Sequence, residues 1–369
     1  MRSEDLAGGI LRIDLDALVQ NYEILNSQAP KAECAAVVKA NAYGLGADRI
    51  GPALWNKGCR TFFVALPEEG IKLRHKLPQA QIFILNGLLG SADTYTENSL
   101  IPVIGDLQSL KKWNGFAKSK GLKLPALLHI DTGISRLGFV ASDLEALHDV
   151  TYWDHIEILY VMSHLACADE AQNPMNYIQR NKLQELRSQL PENLQNLPIS
   201  FANSSGIFLG QDYHFDLLRP GVALYGANPT PDKDNPMSDV IELKGKILQV
   251  DTLDKGTTVG YGSTYITQGK ERIAKIAIGY ADGYPRNLGG IAEVGIDGAR
   301  APIVGRISMD MLTVNMTAIP EEKSRAGEYV TLIGDGITLE EVAEKSGTIP
   351  YEILTSLGHR YYRDYVGGE

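Results

Sequence analysis

A lysine that closes an apolar run is the first place in this sequence where chemistry is suggested. In residues 37–46, VVKANAYGLG, the apolar run AAVV ends on Lys39. In a parallel βα fold that puts the amine at the C-terminal edge of a strand, where barrel enzymes place their active sites. Desolvation there disfavours the ammonium and favours the neutral, nucleophilic amine, which can form an imine with an aldehyde cofactor. A lone strand-end lysine more often lays its stem along the surface and keeps its charge in water, so a second signal is needed. Tyr43 lies four residues on, and Gly44 and Gly46 let the backbone behind it turn tightly.

Two later segments suit a phosphate. Phe201-Ala202-Asn203-Ser204-Ser205-Gly206 runs from a strand into small residues that can open a helix, and Arg219-Pro220-Gly221-Val222 lies in the next βα region. Loops after the seventh and eighth strands of a barrel commonly hold phosphate with backbone N–H groups. Small residues let the backbone approach, and Ser204 adds a hydroxyl. Alone, that serine reads as a plain helix N-cap.

Positioning these groups takes a regular frame. Apolar runs at 34–38, 61–66, 81–85, 100–104, 126–130, 156–162, 199–202 and 222–225 alternate with amphipathic stretches such as 67–77, 106–120 and 174–190. Several of the latter open with Pro or Asp, as helices do. Eight strand candidates separated by helices point to an α/β fold, a (β/α)8 TIM barrel, with an open doubly wound sheet as the alternative. Residues 228–239, with three prolines and three aspartates, read as a linker. Beyond it 240–250, 272–278, 303–307, 312–316 and 329–333 are strand-like, and only 338–345 looks clearly helical. The expected division is a barrel over 1–236, whose extreme N-terminus can join the other domain, and a predominantly β domain over 237–369.

The 369 residues are too many for one ordinary core. Acidic residues exceed basic ones by 45 − 35 = 10 with no basic cluster, which argues against a nucleic-acid partner. The charged opening residues leave no room for a signal-peptide core, and no apolar run reaches the length of a membrane span. Cys34, Cys59 and Cys167 form neither a disulfide framework nor a zinc pattern. Together these point to the cytoplasm, with no membrane partner and no metal. There is no GxGxxG after a strand and no P-loop. The segment Gly133-Ile134-Ser135-Arg136-Leu137-Gly138 has the wrong glycine spacing for a hydrolase elbow.

Eight segments then carry a resemblance. VVKANAYGLG, HIDTGISRLG (129–138), SHLACADE (163–170), FANSSG (201–206), RPGVALYG (219–226), VGYGSTY (259–265), IGYADGY (278–284) and VGRISMD (304–310) stand in the order seen in alanine racemase. The chain resembles that family over essentially its whole length. The resemblance implies pyridoxal phosphate on Lys39, a homodimer, and two-base interconversion of L- and D-alanine that supplies D-alanine for peptidoglycan. Tyr261, from the partner subunit, would be the second base, with Arg136 against its phenolate. Arg219 would face the pyridine nitrogen, buttressed by His164. Phosphate contacts carry over to Tyr43, Ser204, Gly221, Val222 and Tyr351, and Asn203 lies in the matching cofactor loop. Met309 and Asp310 correspond to a substrate-facing loop of the partner, and Tyr280 to a gate residue.

Two positions depart from the family. His129 stands where many members carry a lysine modified to a carbamate, so another group must orient Arg136, and Ser308 replaces a common cysteine. The alternatives are a racemase of broader specificity, a pyridoxal-phosphate amino-acid decarboxylase, which should carry a cysteine in its β-domain, and a single-barrel cofactor carrier, which would lack that domain.

Overall fold

The computed structural model describes residues 4–368. The first barrel strand comes in two pieces, Glu33–Cys34 and Ala36–Val37, interrupted at Ala35. Each piece serves one neighbour. Glu33–Cys34 pairs in parallel with Leu217–Leu218, and Ala36–Val37 with Thr61–Val64. From there parallel pairing passes through Gln81–Ile84, Leu100–Ile104, Leu124–His129, Ile156–Met162, Ile199–Ser200 and Leu217–Leu218. The sheet thereby returns to its starting strand, and the Ala35 and Val37 N–H groups seal the seam by donating to the carbonyls of Leu218 and Pro220. Every residue of Thr61–Val64 and of Leu100–Ile104 is buried. That is the signature of strands covered by helices outside and by packed side chains inside, not of alternating half-exposed ones. Phe63 and Phe83 stack within the barrel with ring centres 4.9 Å apart.

The helices start and stop for local reasons. Leu107–Lys120 opens under the Asp106 carboxylate, which accepts the Ser109 N–H at 2.8 Å, and ends at Gly121 in the left-handed conformation. Pro174–Ser188 is capped by Asn173, and Pro67–Lys76 begins with its proline at the first turn. Among the described residues no helix is long and apolar enough to cross a membrane.

The expected eighth strand needs correction. Residues Val222–Tyr225 form a short 3-10 helix, and the strand is Leu217–Leu218. Pro220 has no N–H to give to a ladder and Gly221 (φ −124°, ψ −90°) turns the chain, so the apolar run behind them folds back instead of extending. The shift puts Arg219 immediately after the end of the last barrel strand.

The second sheet is built on the long strand Ile241–Leu253, which pairs antiparallel with Glu271–Ile276, Tyr329–Ile333 and Gly9–Asp14. Gly9–Asp14 also pairs in parallel with Tyr362–Val366. Glu293–Ile296, Ala299–Val304 and Leu312–Asn315 complete the sheet. Besides the expected helix, found at Leu339–Ser346, this region holds a second one, Pro350–Ser356, which carries Tyr351 towards the barrel.

Candidate active site

Lys39 is separated from the end of the first barrel strand by one residue, Val38, and is half-buried. Behind it the chain does something unusual for L-residues. Ala40, Asn41, Ala42 and Tyr43 all have φ between 51° and 56°, a left-handed run that extends to Gly44, and Gly46 beyond Leu45 is again at positive φ. Each non-glycine residue in that conformation costs roughly 1–2 kcal/mol, so something must hold the turn. Its own bonds run from Ala42 N–H to Val38 O (2.9 Å) and from Gly44 N–H to Ala40 O (2.8 Å). The Asn41 side chain accepts the Ala47 N–H at 3.0 Å. The Tyr43 ring packs 4.7 Å from that of Tyr225 and 6.0 Å from that of Tyr351. The second domain presses on the turn as well. Arg363 donates to Gly44 O and Tyr365 to Leu45 O, and a Cβ at Gly44 would lie 2.7 Å from Leu354 O.

The amine enters a cavity of about 520 Å³ lined by Lys39, Tyr43, His129, Arg136, His164, Asn203, Ser204, Arg219, Gly221, Val222 and Tyr351, among others. Burial lowers the Lys39 pKa, as do the nearby guanidinium groups of Arg136 and Arg219, while the Glu69 carboxylate opposes them. The result is the direction a nucleophilic amine requires.

Arg219 is buried and fully engaged on one side. It donates to Ser200 Oγ (2.5 Å), Ser163 O (2.7 Å) and His164 Nδ1 (3.2 Å). Burial brings its pKa down to about 9, which leaves it a cation at neutral pH. His164 is driven well below its ordinary pKa by its own burial and then by the Arg219 charge. It is therefore a neutral imidazole that accepts at Nδ1 and keeps its proton on Nε2. Arg136 sits on a loop shaped by Asp131, whose carboxylate accepts the N–H groups of Gly133, Ile134 and Ser135 at 2.9–3.1 Å.

The phosphate loops meet in a cradle with no room for a side chain. Ser204 Oγ accepts the N–H groups of Gly221 (2.9 Å) and Ala223 (3.3 Å), which leaves its own proton to donate. A Cβ at Gly221 would stand 2.3 Å from the Tyr43 hydroxyl, so only glycine lets that hydroxyl and this backbone converge. Asn203 lines the cavity, but its side-chain oxygen is spent on the Gly206 N–H at 2.9 Å, which makes it a support of the loop. Hydroxyl donors and close backbone at one end, an amine of lowered basicity within, and a buried cation opposite fit an aldehyde that carries a phosphate.

Four expected residues do not line this cavity. Tyr261 is 73% exposed, at the tip of a hairpin between Thr258–Val259 and Tyr265–Ile266 and flanked by Gly260 and Gly262 at positive φ. Tyr280 and Met309 are also exposed. They form one patch with Asp310: the N–H groups of Tyr280 and Ala281 bond to the carbonyls of Ser308 and Met309, and Arg360 bridges Asp282 and Asp310. Within one chain, that patch and Tyr261 lie outside the lining of the Lys39 cavity.

Several supporting residues went unassigned in the sequence. Ser163 and Ser200 hold Arg219, and their only signal was a polar residue at the end of an apolar run. Gln179, fully buried, donates to Thr132 Oγ1 and His164 O and accepts the Ala166 N–H, linking the Arg136 loop to the His164 segment. Nothing in a helix pattern marks such a glutamine.

His129 lines the site, 5% exposed, with Nε2 buried and, among the described residues, without a hydrogen-bond partner. Burial first, then Arg219, brings its pKa to about 4, with Asp131 pulling it upward and Arg136 adding a smaller downward push. The imidazole is neutral when folded, but in the unfolded chain it binds a proton below about pH 6.5. Its contribution is therefore complete above pH 6.5 and is lost as pH falls through 4. We expect His129→Asn to lose about 3 kcal/mol less stability than the parent between pH 7 and 4 in urea unfolding. Superimposable pH profiles would contradict the assignment.

Residues 13–229 match the family model for the alanine racemase N-terminal domain, and 240–365 that for the C-terminal domain. The chain is 46% identical over 369 residues to a catabolic alanine racemase of Mesorhizobium japonicum, covering 99% of this chain and 95% of that one. It is 43% identical to an alanine racemase of Rhodospirillum rubrum, covering 100% and 98%. Among solved structures it superposes on alanine racemase from Bartonella henselae with covalently bound pyridoxal phosphate, at a TM-score of 0.93 and 42% identity over 98% of this chain and 100% of that one. It also superposes on the biosynthetic alanine racemase from Pseudomonas aeruginosa, at a TM-score of 0.88 and 33% identity over 98% and 100%.

Proposed function

This chain belongs to the alanine racemase family, and from that premise we propose that it interconverts L- and D-alanine with pyridoxal phosphate held on Lys39. The observation that carries the reading is the single cavity that joins an amine of lowered basicity to a side-chain-free phosphate cradle. Tyr43, Ser204, Gly221, Val222 and Tyr351 would hold the phosphate. Arg219 would meet the pyridine nitrogen, held in place by Ser163, Ser200 and His164. When bound, the cofactor supplies an electron sink for the pair left by the broken Cα–H bond.

Racemisation requires that a proton leave one face of Cα and another arrive on the opposite face, so two acid–base groups must flank it. Lys39 Nζ is one. Its lowered basicity lets it accept a proton near neutral pH and release it again. Tyr261 is the other, supplied with Tyr280, Met309 and Asp310 by the partner subunit of a homodimer. The exposure of Tyr261, Tyr280 and Met309 in the single chain supports that arrangement. Arg136, on the loop held by Asp131, supplies the positive charge that makes a tyrosinate accessible. Arg219 would donate a hydrogen bond to the ring without readily giving up a proton, which would restrain the electron sink the cofactor supplies and disfavour transamination. A cytoplasmic setting, supported by three free cysteines, and a role in supplying D-alanine for peptidoglycan belong to the same proposal.

Incubation with L-alanine in deuterium oxide is expected to abolish optical rotation and to place deuterium at Cα, the D-enantiomer carrying it from the first turnovers. Carbon dioxide release from lysine, ornithine or arginine, or faster racemisation of lysine or arginine than of alanine, would overturn the reading.

A further inference from the structure

We propose that Glu69 is a positioning residue for Lys39, its carboxylate tying the peptide that follows the lysine to the end of the neighbouring barrel strand and so fixing the point from which the amine reaches into the cavity. The proposal rests on the reading of Lys39 as base and cofactor lysine.

Glu69 is the third residue of the helix Pro67–Lys76. A glutamate there ordinarily reaches back to the N-cap N–H, and this one does, accepting Leu66 N–H at 3.0 Å. It does more than a cap needs. The same oxygen accepts the Ala65 N–H at 2.8 Å, and the other oxygen accepts the Ala40 N–H at 2.6 Å. Ala40 is the residue after Lys39 and the first of the left-handed run. The ladder cannot serve its N–H, because Val38, donating to Phe63 O, is the last residue of the first strand bonded to its neighbour. One carboxylate therefore spans two adjacent strand ends, with the lysine on the shorter side of the span. Its bonds are charge-assisted, and an amide with a single carbonyl oxygen cannot reproduce both ends. The charge also reaches the lysine, raising its pKa against burial and two guanidinium groups.

A plain helix-capping role predicts lost stability and nothing else. The test uses holoenzyme of Glu69→Ala and Glu69→Gln, with Glu68→Gln as control, because Glu68 is exposed and pairs, among the described residues, with Lys72. Borohydride trapping and peptide mapping on the parent enzyme test the premise separately: an adduct anywhere but Lys39 sinks the reading of that lysine. With the premise intact, Glu69→Ala is expected to change the visible circular dichroism of the bound cofactor and to lower kcat about 100-fold, with KM moving less than about threefold. Glu69→Gln should recover part of both, and it carries the test alone if the alanine variant does not fold. Because one of two bases is displaced, the α-deuterium isotope effect should rise for one enantiomer and not for the other. Parent-like circular dichroism with equal isotope effects in both directions would overturn the proposal and leave Glu69 a helix cap.

Discussion

Lys39→Ala is expected to reduce racemisation by more than about 10⁴-fold while leaving the cofactor bound. Two losses coincide at one atom. The amine is the covalent anchor and also the proton carrier for one face of Cα, and groups that act as a unit are not replaced piecemeal. Retention is expected because the cradle of Tyr43, Ser204 and Gly221 is independent of the lysine side chain. Borohydride should then yield no pyridoxyl peptide, although the protein keeps its cofactor absorbance through gel filtration. Activity within 100-fold of the parent, or an adduct on another lysine, would show that the wrong amine has been chosen.

The second large effect concerns the shared site. Tyr261→Phe is expected to lower kcat by about 10³-fold or more, as befits loss of a proton-transfer group at the face it serves. The sharper result comes from mixing. If each site takes its lysine from one protomer and its tyrosine from the other, unfolding and refolding Lys39→Ala with Tyr261→Phe at equal amounts gives hybrid dimers with one intact site each. Half of the dimers are hybrids and half of their sites work, so about a quarter of parental activity should return. No recovery would place both groups in one chain and end the shared-site proposal.

What the sequence could reveal followed from periodicity and local chemistry. The barrel was legible because strands covered on both faces, such as Leu100–Ile104, are apolar throughout and regularly spaced. The eighth strand was misplaced because a two-residue strand, Leu217–Leu218, leaves almost no pattern, whereas the four apolar residues after Pro220 imitate one. The strands Gly9–Asp14 and Tyr362–Val366 were missed because their partners are remote in sequence, and Glu293–Ile296 because it is only four residues long. Lys39 and the cradle could be named because a strand end and a run of small residues are local features, whereas the roles of Arg219, Arg136, His164 and Tyr261 came only from the family resemblance. Glu69, Ser163, Ser200 and Gln179 act through contacts across the fold, which no spacing records. Nor could it be seen that the turn behind Lys39 is left-handed through four non-glycine residues, since Ala40 and Ala42 are ordinarily among the best helix formers.

The strand Gly9–Asp14 has a consequence for the order in which this protein can be made. It is translated before every strand it pairs with, and it buries Leu11 and Ile13 completely. The strands that flank it are Ile241–Leu253 and Tyr362–Val366. At about 5–20 residues per second, translation delivers the second of these roughly 20–70 s after the first strand emerges. Until Ile241–Leu253 emerges, the barrel can close while Gly9–Asp14 has no partner strand, and one of its edges stays open until Tyr362–Val366 follows. Chaperone dependence should accordingly begin as Gly9–Asp14 emerges and be released only as Tyr362–Val366 is threaded beside it.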